Sequence, residues 1–329
     1  MEFPTVSGDD IAQAAERLEP HIQRTPLLHS PLLDKRCRGR ILLKAECLQV
    51  TGSFKLRGAL NRLLSLTEAE RQKGVVAYSS GNHAQGVAMA ASITGVQATI
   101  VMPEDAPTVK TERTRRLGAE IVTYDRLNES REDIAADLAE TRGAVLVPPF
   151  DDPHIIAGQG TAGLEIREEC ERTDTKIDQV VVCCSGGGLA SGIGLALDCG
   201  AAGRPQMMTA EPNGFDDMRR SLIAGSRLSN PPGGSSICDA LLVPTPGALT
   251  FPILQRLNAT GVTVSDREVM GAIRFAAEEL RVLIEPGGAV ALAACLYGHV
   301  ETKNRTTAVI LSGGNLDRHT LEQALHYAV

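Results

Sequence analysis

The sequence predicts an α/β protein built from parallel sheets flanked by helices. Between residues 75 and 147, four apolar runs of strand length alternate with three segments of helical period, the pattern that builds a compact parallel sheet. A second alternation of the same kind follows Pro148-Pro149. The 32 glycines and 17 prolines are many for a helical bundle and suit numerous tight turns between such elements. A chain of 329 residues with 43% hydrophobic content can bury large cores, and its size suggests about two domains.

Residues 9–20 read as a short amphipathic helix ended by Pro20, and Arg24-Thr25-Pro26-Leu27 as an extended connection. Ile41 to Cys47 reads as a buried strand. Lys55 to Leu66 carries Leu56, Leu60, Leu63 and Leu64 at helical spacing, with Ser53 as its N-cap. Thr67 to Gly74 is charged and loop-like. The first alternation then runs strand Val75–Tyr78, helix Asn82–Thr94, strand Ala98–Met102, helix Thr108–Leu117, strand Glu120–Tyr124, helix Ser130–Thr141 and strand Ala144–Val147. The second gives helix 158–171, strand Gln179–Cys184, a glycine turn, helix 189–199 and strand Gln206–Ala210. It closes with strand Val262–Ser265, helices Asp266–Leu280 and Gly287–Gly298, and strand Thr306–Leu311, while the Pro/Gly-rich stretch 230–234 reads as a surface loop. This second block needs residues 1–67 to complete its sheet. A small domain, 68–148, is therefore expected as an insertion into a large one made of 1–67 and 149–329.

A formal charge of -7 gives no electrostatic reason to expect nucleic acid or an anionic membrane surface as partner, so a small molecule is expected. The N-terminus shows no basic region followed by an apolar one, and no apolar run is long enough to span a bilayer, so a cytoplasmic protein is expected. The eight cysteines lack CxxC spacing and read as reduced thiols, with Cys183-Cys184 filling core in an apolar strand.

Five stretches carry candidate chemistry. Lys55 falls in the first turn of its helix, where the dipole and partial desolvation disfavour the ammonium form. A lysine so placed can act as nucleophile or base, although most lysines at helix starts are solvated. Ser185-Gly186-Gly187-Gly188 joins an apolar strand to a helix, where backbone N–H groups can converge on a phosphate. It has neither the P-loop lysine nor a GxGxxG pattern, which favours a small phosphate-bearing cofactor over a nucleotide. Asn82 opens a helix, as an N-cap would, and Ser312 ends a buried strand, where a hydroxyl often bonds backbone. Glu211-Pro212-Asn213-Gly214-Phe215-Asp216-Asp217 clusters carboxylates after a strand end, as a solvated loop or a cation site would.

Ser53-Phe54-Lys55-Leu56-Arg57-Gly58-Ala59 resembles the Schiff-base lysine motif of pyridoxal-phosphate enzymes with the tryptophan-synthase β fold, in the branch of serine/threonine dehydratases and serine racemases. Ser79-Ser80-Gly81-Asn82-His83-Ala84-Gln85, Ser185-Gly186-Gly187-Gly188-Leu189, Glu285-Pro286 and Ser312-Gly313-Gly314-Asn315 match the other motifs of that family in its order, from Arg24 to Asp317. The resemblance implies a two-domain fold of type II and pyridoxal 5'-phosphate bound to Lys55. It assigns the phosphate cup to Gly186, Gly187, Gly188 and Leu189, the cofactor's 3-oxygen to Asn82, and the space beside the ring to Phe54. Ser312 would face the pyridine nitrogen, and Glu285 belongs to the same cofactor site. Ser79, Ser80, Asn82, His83 and Arg131 would meet the substrate. Glu211, the carbonyl of Phe215 and Asp217 resemble a divalent-cation site for Mg2+, Ca2+ or Mn2+. A homodimer is expected on the same ground.

The activity implied is an ammonia-lyase acting on L-serine, L-threonine or 3-hydroxyaspartate, with Lys55 as base. The alternative is a serine or aspartate racemase, with Ser80 working the second face of the substrate. Threonine dehydratases commonly have alanine where Ser80 stands and continue His-Ala-Gln-Gly; serine racemases have serine and continue His-Gly-Gln. The stretch Ser80-Gly81-Asn82-His83-Ala84-Gln85-Gly86 is a hybrid of the two. A non-catalytic ligand sensor on this fold would not need Lys55. Arg131, Cys238 and Asp239 are the candidates for reading the substrate side chain. The chain ends soon after Gly314-Asn315, so the C-terminal regulatory domain of biosynthetic threonine dehydratases is not expected.

Overall fold

A computed structural model describes residues 6–106, 108–198 and 203–327. The chain opens with α1 (Gly8–Leu18), β1 (Leu27–His29), α2 (Pro31–Cys37), β2 (Arg40–Lys44), α3 (Lys55–Leu64) and α4 (Glu68–Lys73). An alternating stretch follows: β3 (Val75–Tyr78), α5 (Asn82–Thr94), β4 (Ala98–Pro103), α6 (Thr108–Arg116), β5 (Glu120–Tyr124), α7 (Arg131–Arg142) and β6 (Val145–Leu146). The chain then runs through α8 (Pro153–Arg172), β7 (Gln179–Cys183), α9 (Gly188–Asp198), β8 (Gln206–Pro212), α10 (Asp217–Ala224), α11 (Thr250–Arg256) and β9 (Thr260–Val264). It ends with α12 (Asp266–Phe275, extended by a π turn Ala276–Leu280), α13 (Pro286–Leu296), β10 (Thr306–Ile310) and α14 (Arg318–His326).

Two sheets result. The four-stranded one has the order β5-β4-β3-β6 with every pair parallel, as the alternation in residues 75–147 demands. The six-stranded one has the order β1-β2-β10-β7-β8-β9 and is parallel except for β1 on β2. Strands from the first fifty residues and from the last thirty are neighbours in it, so the early chain does complete the later sheet. Gln179-Val180-Val181-Val182-Cys183 is buried throughout, the continuous apolar run that a central parallel strand with both faces covered requires.

Helix α3 lies between the sheets. Leu56, Ala59, Leu60 and Leu63 share a core with Val75, Ala77 and Ile100 of the four-stranded sheet. Its other side meets α8 at glycine: a Cβ on Gly158 would lie 2.5 Å from the carbonyl of Arg57, and one on Gly160 would lie 2.9 Å from that of Gly192 on α9. Glycine inside a helix costs roughly 1 kcal/mol against alanine, and these positions return it as close backbone packing. The carboxyl ends of β3, β7 and β10 lead into Ser79, Cys184-Ser185 and Ser312, so the turns that follow all open toward the N-terminus of α3.

Several expectations change. Thr67–Gly74 is not a loop but carries α4, closed by a Thr67–Glu70 capping box. Ser53 does not cap α3: Phe54 stands at the N-cap with helical angles, and Ser53 is buried in a bridge to Gly313. Helix α8 starts at Pro153, capped by Asp152, rather than at 158. The strand read as Ile41–Cys47 ends at Lys44 and passes into a 3-10 turn, Glu46–Leu48. The far end of the helix read as 189–199 falls at residue 199, outside the described residues. No helix among the described residues is long and apolar enough to cross a membrane.

Candidate active site

A cavity of about 220 Å³ lies at the N-terminus of α3, between the two sheets. Lys55 stands in its wall. Its Nζ donates to the carbonyl of Pro149 at 2.7 Å and lies 5.0 Å from the Phe54 ring centre. Burial pushes the lysine down to about 8, so roughly a tenth of it is neutral at pH 7. The helix that presents it is pinned from beneath. Arg57 is fully buried and forks onto Glu46 (2.7 and 2.9 Å), while its Nη1 donates to Glu165 Oε1 at 2.7 Å. Lys44 completes the network by pairing with Glu165 and donating to the Thr25 carbonyl.

Opposite the lysine, Asn82 Nδ2 donates to Glu285 Oε1 at 2.5 Å and its Oδ1 accepts from Asn315 Nδ2 at 2.7 Å. Asn315 in turn donates to the Thr51 carbonyl at 2.9 Å, which ties the loop before α3 to the start of α5. Gly313 leaves room for this: a Cβ there would lie 2.0 Å from Glu285 Oε1. Asn82 is therefore no N-cap; Gly81 holds that place and no side chain caps the first turn of α5. Ser79 Oγ accepts from the Gly81 N–H at 3.1 Å, which tightens a turn whose residues Ser79 to His83 all line the cavity.

Gly186, Gly187 and Gly188 make a tightly packed concave turn in the cavity wall. A Cβ on Gly186 would lie 2.4 Å from the Phe150 ring, and one on Gly188 would lie 2.8 Å from Gln159 Oε1. Gly187 has φ of +95° and Thr250 Oγ1 within 2.8 Å of its would-be Cβ, so only glycine fits. Leu189 follows in the first turn of α9 and lines the cavity. Gln159, 1% exposed, presents an Oε1 with no hydrogen-bond partner among the described residues to this cup. Sequence reading missed it; its signal is a glutamine between Gly158 and Gly160, inside a helix that only close packing would make so rich in glycine. A cradle that any Cβ would fill, the free end of a helix and a side-chain amide whose Nε2 can turn into the cup fit a phosphate-bearing cofactor.

Ser312 is 4% exposed, and its Oγ accepts from the Cys183 thiol at 3.1 Å. Cys183, read as core filling, also lines the cavity. His83 is buried and its Nε2 donates to the Val147 carbonyl at 2.9 Å. Burial, helped by the charge of Lys55, pushes it down to about 3, so it stays neutral and its ring is occupied away from ligand. Ser80 and Arg131 both reach the cavity, the arginine pairing with Glu132 at 2.9 Å and lying 5.6 Å from the Tyr78 ring centre. Of the candidate readers of the side chain, Asp239 lines the cavity and Cys238 does not; it is buried in the core of the six-stranded sheet. Lys110 was not anticipated. It reaches from α6 across the cavity mouth to Asp239 at 3.0 Å.

Glu211 and Asp217 are buried apart from this cavity. Glu211 accepts the N–H groups of Met218 and Arg219 (2.9 and 2.8 Å), Asp217 accepts from Asn230 at 2.7 Å, and Asp217 Oδ2 has no partner among the described residues. Burial, with the other carboxylate's charge, raises Glu211 well above its ordinary range; burial raises Asp217 to about 6. No group of three or more His, Cys, Asp and Glu side chains among the described residues could hold a metal ion.

Residues 18–313 match the family described as pyridoxal-phosphate dependent enzyme. The chain belongs to that family. It is 40% identical over 321 residues to an L-threonine ammonia-lyase of Thermotoga maritima, covering 98% of this chain and 78% of that protein. It is 41% identical over 318 residues to an L-threo-3-hydroxyaspartate ammonia-lyase of a Pseudomonas species, covering 94% and 96%. Among solved structures, maize serine racemase superposes with a TM-score of 0.91 at 36% identity, covering 98% of each chain. The expected class, a type II pyridoxal-phosphate fold of parallel sheets flanked by helices, is borne out.

Proposed function

We propose that this chain is an ammonia-lyase that removes water and ammonia from a β-hydroxy amino acid, L-serine, L-threonine or 3-hydroxyaspartate, to give a 2-oxo acid. The observation that carries the reading is Lys55, held partly neutral in the wall of a cavity whose other walls are the glycine cup, the Asn82–Glu285 pair and Ser312. Support for the reaction class comes from relatives that act on threonine and 3-hydroxyaspartate.

Pyridoxal phosphate, when bound, supplies a carbonyl carbon for an amino group and a conjugated ring that takes up the electrons freed at Cα. Gly186, Gly187, Gly188 and Leu189 would hold the phosphate by backbone N–H groups, Asn82 would hold the 3-oxygen, Phe54 would pack beside the ring and Ser312 would meet its nitrogen. Glu285 fixes Asn82. The turn of Ser79, Asn82 and His83 holds the substrate carboxylate through main-chain donors, since the His83 ring is engaged elsewhere. Lys55 then takes the α-proton as general base, the β-hydroxyl leaves as water with the proton so freed, and the enamine released takes up water to give the 2-oxo acid and ammonium. A serine hydroxyl facing the ring nitrogen gives a weaker electron sink than a carboxylate would, which favours rapid loss of a β-group. Residues 68–148 act as a small domain that closes on the larger one, 1–67 with 149–329, and excludes water.

Glu211, Asp217 and the Phe215 carbonyl would take Mg2+, Ca2+ or Mn2+. Two buried carboxylates, Glu211 raised by burial and by the charge of Asp217, and Asp217 with an oxygen unpartnered among the described residues, suit a hard cation completed by water. Its role would be structural, beside the cup. The protein is further taken to be a cytoplasmic homodimer.

The test is an absorption spectrum of the purified protein, followed by 2-oxo acid formation from L-serine, L-threonine and both 3-hydroxyaspartate diastereomers, with Mg2+ and then with EDTA. A visible cofactor band with oxo acid release supports the lyase and names its substrate; a band without product from any of them rejects it. Ser80 favours a second reading, racemisation in the same site. Loss of enantiomer formation in Ser80→Ala with elimination intact would support it, and unchanged enantiomer formation would remove it.

A further inference from the structure

We propose that Cys183 is a positioning residue that sets the direction of the Ser312 hydroxyl and, through it, the electron demand of the cofactor ring; this rests on the reading that Ser312 meets the ring nitrogen. The two residues come together by topology. Strands β7 and β10 are parallel neighbours with Val181 beside Val309, so their carboxyl ends emerge side by side. Cys183 Sγ lies 3.1 Å from Ser312 Oγ, both groups are buried, and both line the cavity that holds Lys55.

A serine hydroxyl has one proton and two lone pairs, and a thiol is a weak donor and a weaker acceptor. Burial pushes the thiol up to about 11, so it keeps its proton at any working pH and can donate. With the thiol proton on one lone pair of Ser312 Oγ, the hydroxyl proton is left to point into the cavity. A ring nitrogen placed there accepts a hydrogen bond and remains without a proton of its own. Removing the thiol frees the hydroxyl to rotate and present a lone pair instead. It then accepts from a protonated ring nitrogen, which is a stronger electron sink and prolongs the life of the deprotonated substrate. Cys183 thus biases the site toward elimination and away from reprotonation at Cα.

The experiment compares wild type, Cys183→Ala and Cys183→Ser as holoenzymes. Three readouts are taken: the nitrogen NMR resonance of an isotope-labelled cofactor ring, the visible band against pH, and the partition between deuterium uptake at Cα and oxo acid release. In Cys183→Ala the ring-nitrogen resonance moves toward that of the protonated ring, and the partition shifts toward deuterium uptake by roughly three- to tenfold, the scale of one lost hydrogen bond. Cys183→Ser, which keeps a donor in place, returns both toward wild type. A Cys183→Ala enzyme with wild-type resonance and partition overturns the proposal, as does a Cys183→Ser enzyme that matches the alanine variant in both. Absence of a cofactor band from the wild type would instead overturn the site reading beneath it, and the two failures are thereby told apart.

Discussion

Lys55 owes its chemistry to desolvation, and the sign of its pH dependence follows. A buried lysine lowered to about 8 is mostly protonated at pH 7 and mostly free amine at pH 9. Borohydride trapping of pyridoxal phosphate on the cofactor-free protein should therefore rise with pH along a curve centred near 8, whereas a solvated lysine would put the midpoint above 10. Lys55→Ala should abolish trapping and lower oxo acid formation by roughly 10³-fold or more, the loss expected for a positioned general base. Gln159 supports an opposite pair of signs. Its buried Oε1 has no partner among the described residues, so Gln159→Leu removes an unsatisfied group and should leave the melting temperature of the cofactor-free form unchanged or higher. The same change removes an amide that can turn its Nε2 toward a phosphate, and cofactor affinity should drop by about tenfold. Melting curves with and without pyridoxal phosphate check both; a variant that loses stability in both forms would mean the glutamine is only a packing residue.

Helix α3 shows which parts of this structure are written locally and which are not. Its period, the strand before it and the alternation of β3 to β6 are local patterns of apolar spacing, and all of them could be read in the sequence. The small helix α4 was overlooked because none of its residues is buried, although Thr67 and Glu70 spell a capping box. The glycine turn was legible because a Ser-Gly-Gly-Gly stretch between strand and helix is also local. What stayed hidden is long-range: Asn82 meets Glu285 across 203 residues, Lys110 meets Asp239 across 129, and no spacing rule reports either. The support of α3 is of that second kind. Arg57 is two residues from Lys55, yet its partners Glu46 and Glu165 come from a turn and from α8. Two buried cations, Lys44 and Arg57, balance those two carboxylates, and removing one leaves an uncompensated buried charge. Arg57→Met should destabilise the protein by roughly 3–5 kcal/mol in urea unfolding and lower cofactor occupancy by loosening the helix start. A loss below about 1 kcal/mol would class the network as no stronger than surface pairs.

At the scale of the whole molecule, the chain carries a set of carboxyl groups that folding makes harder to ionise. Glu285 is raised from 4.5 to about 7, chiefly by burial, and Asp217 from 3.8 to about 6 by the same cause. In this window the folded protein binds more protons than the unfolded chain, so the term ν_U − ν_N is negative and stability must fall as pH rises. Carboxylates held low, such as Glu120 and Asp317, act the other way, but their contribution is lost only on acidification through the ordinary carboxylate range and below. His83, lowered to about 3, also pulls toward higher stability as pH rises to about 6.5, but between about pH 4.5 and 7 the raised Glu285, Asp217 and Glu211 together outweigh it. The cofactor-free, metal-free protein should therefore be more stable near pH 5 than near pH 8, with Glu285 alone contributing up to roughly 3 kcal/mol of the difference. Urea midpoints at the two pH values measure this directly. Glu285→Gln should flatten part of the slope, and millimolar Ca2+ or Mg2+ should flatten another part by pairing with ionised Glu211 and Asp217 at the higher pH. A midpoint that rises from pH 5 to 8, or a slope untouched by Glu285→Gln, would mean that water reaches these carboxyls in the free protein. The cleft between the two sheets would then stand wider in solution than the Lys110–Asp239 contact across its mouth holds it here.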